Sequence, residues 1–175
     1  VDGYAGFERL ATDEVVLAAC WAHTRRKFYD VDQATGSPIA AEALRRIAVL
    51  YAIETEIRGR SANERQNIRH ARARPVVADL KPWLEGQLQR VPPRGGLAGA
   101  IRYALARWPA LCRFLDDGRI ELDTNPVERA IRPVALGRKN HLFAGSDGGA
   151  DRWAVIASLL ETAKLSKVEP YAYLK

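Results

Sequence analysis

Between residues 37 and 118 the apolar positions recur at three- and four-residue intervals, the spacing of one helix face. Ala40, Ala43, Leu44, Ile47, Leu50 and Tyr51 form a first stripe, which runs on to Glu54. Ser37 stands as its N-cap and Pro38 at its first helical position. Leu80, Trp83, Leu84 and Leu88 form a second stripe over about 76–91, and Ile101, Ala104, Leu105 and Trp108 a third over roughly 97–108. Pro92-Pro93-Arg94-Gly95-Gly96 reads as the loop between them. Arg58 to Arg74 is basic, nearly without core positions, and ends at Pro75. Pro109 to Leu115 adds a turn or two, and Asp116-Asp117-Gly118 ends it, with Asp116 and Asp117 as an exposed turn.

The flanks have a different pattern. Val15 to Ala19 is a short β-branched apolar run, which predicts a buried strand. Cys20 to Phe28 predicts the start of a helix, with Trp21 and Phe28 on one face. Ile120 to Leu122 reads as extended, Asn125-Pro126 as a helix start and Gly145 to Gly149 as a loop. A helix with Trp153, Ile156, Ala157, Leu160 and Ala163 facing inward follows, then a Pro170–Leu174 tail. There is no internal repeat. The expected fold is mainly α with a small α/β part.

Composition narrows the classes. With 175 residues, one domain with a subdomain is expected. At 47% hydrophobic and 27% charged the chain is not disordered throughout. Its longest apolar run, Val15 to Ala22, is far short of the ~20 residues of a membrane helix, and no membrane partner is expected. No signal peptide heads the chain. Two cysteines, Cys20 and Cys112, make no disulfide scaffold and point to a reducing compartment. The net charge of +6 comes mostly from arginine, 21 against 6 lysines. Such a balance suits nucleic acid, although a GC-rich genome favours arginine too. The absence of Met and the opening Val1-Asp2-Gly3-Tyr4 point to a fragment of a longer chain.

The candidate chemistry lies in carboxylates. Asp2 and Glu128 together could hold Mg²⁺ or Mn²⁺, hard ions that take oxygen ligands. Locally a plainer reading competes. With Asn125 as N-cap and Pro126 at the first helical position, Glu128 stands where a capping box places its glutamate, one turn before Arg132. Asp2 beside Gly3 also suits a turn. Asp116, Asp117 and Asp123 are rivals for a metal role. Cys20 and His23 have ligand character, but two ligands make no zinc site, and no third group orients them as a catalytic pair. The basic candidates are Arg25-Arg26-Lys27 and the set Arg129, Arg132, Arg138 and Lys139; the competing reading of both is a solvated face. No phosphate-cradling glycine loop is present. Pro133 should break or kink the helix after Glu128.

Taken in order, several segments resemble one family. They are D-G-Y-A-G-F at 2–7, C-W-A-H-T-R-R-K-F at 20–28, A-I-R-Y-A-L-A-R-W at 100–108 and F-L-D-D-G-R-I-E-L-D-T-N-P-V-E-R-A-I-R-P at 114–133. G-R-K-N-H-L-F-A-G-S-D at 137–147, S-L-L-E-T-A-K-L at 158–165 and P-Y-A-Y-L at 170–174 continue the series. The chain resembles the C-terminal part of a transposase of insertion-sequence family sixty-six. It departs from that pattern at Thr124, where Asn is usual, at Gly95-Gly96, where a Ser is usual, and at Ser166-Lys167, where Asn-Gly is common.

The resemblance implies the C-terminal portion of an RNase H-like catalytic core that uses an Asp-Asp-Glu set. Asp2 matches the second Asp and Glu128 the Glu; the first Asp lies upstream. Residues 1–30 would close the core, 31–119 would be a long helical insertion, 120–165 would carry the Glu helix and the next helix, and 166–175 the tail. Cys20 and His23 match a C-x-x-H feature with a supporting role, and Asn125 is given a supporting role beside them. The implied activity is metal-dependent strand cleavage and transfer in bacterial cytoplasm, with Mg²⁺ or Mn²⁺ as cofactor. The implied partners are the DNA of element ends and target, and further copies of the transposase in the synaptic complex. Lacking one carboxylate, the chain alone is expected to be inactive. Two other readings stand beside this one: a non-catalytic basic module that binds DNA or a partner transposase, and a remnant without function.

Overall fold

The computed structural model describes residues 11–12, 15–125, 128, 129, 132, 136 and 145–175. The chain divides into two compact units, Val1–Thr124 and Asn125–Lys175. The described residues are mainly helical and contain no strand.

In the first unit, α1 (Trp21–Thr35) ends where Gly36 takes a left-handed conformation and returns its N–H to Asp32 O. Ser37 then caps α2 (Pro38–Glu56) by accepting the Ala40 N–H. Ser61 and Glu64 form a capping box at the start of α3 (Ala62–Ile68). A wide π turn (Arg69–Ala73) joins α3 to α4 (Arg74–Leu88) without a break. After the Pro-Gly loop come α5 (Gly96–Ala106), the short α6 (Trp108–Cys112) and a 3₁₀ turn (Arg113–Leu115).

These helices share one core. Phe28, Ile47, Leu50, Ile53, Leu80, Leu84, Ile101, Ala104 and Leu111 are all buried, and the stripes read from the sequence face it as expected. Trp21 sits at its end, edge-on to Trp108 and Phe114 with ring centroids 5.9 and 6.5 Å away. Its indole N–H donates to Leu111 O at 2.9 Å. A buried indole keeps its polar edge paired in this way.

Two expectations for this unit are corrected. Val15 to Ala19 is not a buried strand: residues 15–20 are irregular, and Val16 is 61% exposed. Their main chain pairs with helical segments instead, Ala19 N–H with Ala110 O at 3.0 Å and Leu17 O with the Arg113 guanidinium at 2.7 Å. The stretch from Arg58 to Arg74 is not coreless. It folds as α3 and the π turn, with Arg69 and Ala73 fully buried, because Arg69 finds partners for its whole guanidinium. Asp116 is exposed, as expected of the turn, and Asp117 half-buried, while Gly118 beside them is buried against the Ala62 main chain.

In the second unit, Asn125, Glu128, Arg129, Arg132 and Leu136 are helical. The expectations of a Pro126 start and a Pro133 kink fall outside the described residues. Ser146 caps α7 (Asp147–Leu165) by accepting the Gly149 N–H, so Gly148 and Gly149 form a first helical turn rather than a loop. The inward stripe of α7 is corrected as well. Trp153 and Ile156 are 43% and 44% exposed, and only Ala163 is buried. The helix ends in a Schellman motif, with Val168 N–H on Ala163 O, Lys167 N–H on Lys164 O, and Lys167 at a φ of 58°. A short α8 (Pro170–Leu174) follows. No helix among the described residues is long and apolar enough to cross a membrane.

Candidate functional site

The chain approaches Asn125 and Glu128 through residues 114–124, and the first unit grips that segment from two sides. On one side are α3, the π turn and the start of α4. Arg69 reaches Phe114 O at 2.8 Å and Asp117 O at 3.2 Å while its other edge pairs with Glu54 at 2.7 Å. Arg65 holds Glu121 bidentately at 2.8 and 2.9 Å. Gln66 donates to Asp116 O at 2.6 Å, and Arg74 pairs with the Asp116 carboxylate at 2.6 Å. Arginine suits this work because its planar fork satisfies several oxygens at once.

On the other side is the first turn of α1. The Trp21 N–H donates to Leu122 O at 3.1 Å, and the Thr124 N–H to the Cys20 sulfur at 3.3 Å. Cys20 is buried and its Sγ lies within 4.8 Å of a His23 ring nitrogen. The Tyr51 phenol belongs to the same pocket: burial, and then the charges of Asp123 and Cys20, push its pKa up, with Arg25 acting the other way. A buried soft thiol that accepts a main-chain amide is suited to hold the backbone, not to bind a hard ion.

Glu128, Arg129 and Arg132 are exposed on their helix, as is Asn125. An exposed carboxylate has the donor chemistry that Mg²⁺ or Mn²⁺ requires. Asp2, Arg138 and Lys139 lie outside the described residues. Of the basic trio on α1, Arg26 is paired with Asp30 at 2.7 Å, whereas Lys27 stacks over the Tyr103 ring at 5.6 Å. Arg25 is exposed. The structure thus gathers Cys20, His23, Tyr51 and Asp123 in one unit, and the sequence leads from them into the helix of Glu128. Sequence reasoning passed over Arg65, Arg69 and Tyr51. Tyr51 reads in the sequence as one more position of the first stripe, and Arg65 and Arg69 as members of a basic stretch, so none of them signals a site by itself.

The class of the protein follows from its family: the model of the Transposase IS66 family matches residues 1–152. The chain belongs to that family. It is 48% identical over 181 residues to a Sinorhizobium fredii protein named as uncharacterized protein y4jD, an alignment covering 99% of this chain and 35% of that one. Two more proteins of the same organism, y4qI and y4hP, are 44% and 38% identical, each over 99% of this chain and 34% of their own. The chain therefore spans about a third of the length of these curated relatives. No solved structure matches it.

Proposed function

We propose that this chain is the C-terminal share of the catalytic domain of a DDE-type DNA transposase. The whole protein would cleave a phosphodiester at the end of an insertion sequence and join the freed 3′ end to target DNA. The family match over residues 1–152, which takes in both Asp2 and Glu128, carries this reading. Under it the core is RNase H-like, residues 31–119 are a helical insertion, and the remaining Asp precedes Asp2 in the whole transposase. The protein acts as an oligomer on DNA in bacterial cytoplasm.

Asp2 and Glu128 would hold Mg²⁺ or Mn²⁺, through hard oxygen donors. Such an ion, when bound, stabilises charge developing on the phosphate. The chain's own residues orient the rest. Cys20 and Trp21 fix the main chain at Thr124 and Leu122, just before the helix of Glu128. His23 packs beside Cys20 in support, and Asn125 opens the helix. Arg129 and Arg132, with Arg138 and Lys139, meet the DNA backbone, as do Arg25, Arg26 and Lys27.

In the full-length transposase, Glu128→Gln and Asp2→Asn should each lower strand transfer of a labelled element end by at least about a hundredfold. Gel-shift binding of that end should persist. Strand transfer that survives Glu128→Gln overturns the reading. The 175-residue chain alone should nick no DNA in Mn²⁺. A second reading, a basic module that binds DNA without chemistry, is favoured by the exposed cations of the first unit. It predicts salt-sensitive binding indifferent to Glu128→Gln and no strand transfer by the full-length protein.

A further inference from the structure

The cations of the first unit fall into two groups. On α2, α3 and α4 most are matched to carboxylates: Arg45 and Arg46 to Glu42, Arg65 and Arg69 to Glu54, Arg72 to Glu56, Arg74 to Asp116, Lys81 to Glu85. On α5 and its flanks the pattern reverses. From Glu85 to Asp116 the chain carries no acidic side chain between those two, yet it carries Arg90, Arg94, Arg102, Arg107 and Arg113. Among the described residues, Arg90, Arg94, Arg102 and Arg107 make no ion pair, and neither does Lys27 of α1.

The packing of α1 against α5 brings these charges together. The helices run antiparallel: Val31 lies against Gly96 near one end, and Trp21 against Trp108 at the other. Between them Tyr103 takes a cation from each helix. The Arg107 guanidinium sits 4.1 Å from its ring centroid and the Lys27 ammonium 5.6 Å. Two cations on one ring repel each other. An aromatic face offsets part of that cost by attracting each cation. Arg102 projects from the exposed side of the same helix, flanked by the small exposed residues Gly99 and Ala106.

We propose that this α1–α5 seam, built from Lys27, Arg102, Tyr103 and Arg107, is a docking surface for the phosphate backbone of duplex DNA. The proposal rests on the reading of DNA as the partner and adds a second contact surface, carried by the helical insertion. An α-helix of eleven residues is about 16 Å long, which parallels roughly five phosphates of one strand. The surface offers an ammonium and two guanidinium forks spaced along a helix, groups that bind phosphate oxygens as point charges and bidentate forks. Contacts of this kind fix register and orientation on the duplex.

The test is fluorescence anisotropy of the 175-residue chain with a 30-base-pair duplex of arbitrary sequence, across a salt titration. The triple variant Lys27→Gln/Arg102→Gln/Arg107→Gln should weaken binding at least about tenfold at 100 mM salt. It should also lower the slope of log K against log salt by about two to three, because each lost phosphate contact removes about 0.9. A charge-matched control, Arg45→Gln/Arg58→Gln/Arg60→Gln, should change both values little, with circular dichroism melts verifying that both variants fold. Equal losses in the two triples overturn the proposal, since net charge alone would then explain binding. So does a preference for polyglutamate over duplex as competitor. Binding that falls with Arg129→Gln/Arg132→Gln but not with the seam triple overturns the seam and leaves the transposase reading standing. Full-length strand transfer that ignores Glu128→Gln sinks the transposase reading and leaves the seam intact.

Discussion

Arg69 and Glu54 face each other as a two-pronged ion pair, both prongs 2.7 Å long, with the guanidinium fully buried. The pair ties α2 to the π turn, and the same guanidinium holds the carbonyls of Phe114 and Asp117 and lies over the Phe114 ring. Removing one member takes from the other its shortest charged partner, leaving Glu54 with Arg65 at 3.5 Å or Arg69 with the two carbonyls alone. Glu54→Gln or Arg69→Met should each destabilise the chain by about 3–5 kcal/mol in urea unfolding. The double variant Arg69→Met/Glu54→Leu should cost less than the two singles added, because it leaves no isolated charge. Additive losses would show that the pair is not coupled.

Gly118 is where two backbones meet. A Cβ there would stand 2.6 Å from the carbonyl carbon of Ala62 and 2.9 Å from its Cα. Neither atom can swing aside, as both belong to the first residue of α3. Gly118→Ala should therefore cost about 1–3 kcal/mol in chemical denaturation. An unchanged midpoint would mean that the turn and α3 do not approach as described.

The Asp117 carboxyl is held down to a pKa of about 2 by the Arg119 side chain first, and by the Arg119 main-chain N–H next. The unfolded value of Asp is about 3.9. A depressed folded pKa means that the contribution is complete above about pH 4 and is lost as pH falls toward 2. The melting temperature of the chain should drop across that window, and Asp117→Asn should drop less. Parallel curves for the two proteins would refute the assignment.

Lys167 carries a left-handed φ of 58° at the end of α7, a position that usually belongs to glycine. The resemblance drawn from the sequence marks this place, where Ser166-Lys167 replaces the common Asn-Gly. Lys167→Gly should stabilise the helix end by about 1 kcal/mol, read as a raised denaturation midpoint. A lowered midpoint would mean that the Lys side chain contributes more than its backbone costs.

The helical middle was legible because its stripes obey one rule. Ala43, Ile47 and Leu50 on α2, Leu80 and Leu84 on α4, and Ile101 and Ala104 on α5 all face one core, as their spacing predicts. Val15 and Val16 misled because β-branching signals a preference for extended backbone, and extended backbone needs no sheet when helix-end carbonyls and an arginine can pair with it. Trp153 and Ile156 misled because spacing defines a face but does not supply what covers it. The stretch around Arg69 was illegible for a third reason: a charged side chain reads as surface unless its partners, 15 and 45 residues away in sequence, are known. Glu128 and Cys20 could each be singled out by residue type and motif. The hold on residues 114–124 could not, since it is made by Arg65, Gln66 and Arg74, which look like ordinary solvent-facing positions.

The π turn between Arg69 and Ala73 sets a phase shift in an otherwise continuous rod. Each turn of α-helix advances 3.6 residues, so one extra residue rotates everything beyond it by about 100° relative to an unbroken helix. Any repeat-based comparison of α3 with α4 must slip by one position here. Insertions or deletions of a single residue in relatives should concentrate at this point, where the helix already accommodates one. Shortening it would leave the stripe of α4 readable in the sequence while moving the guanidinium away from the carbonyls it holds.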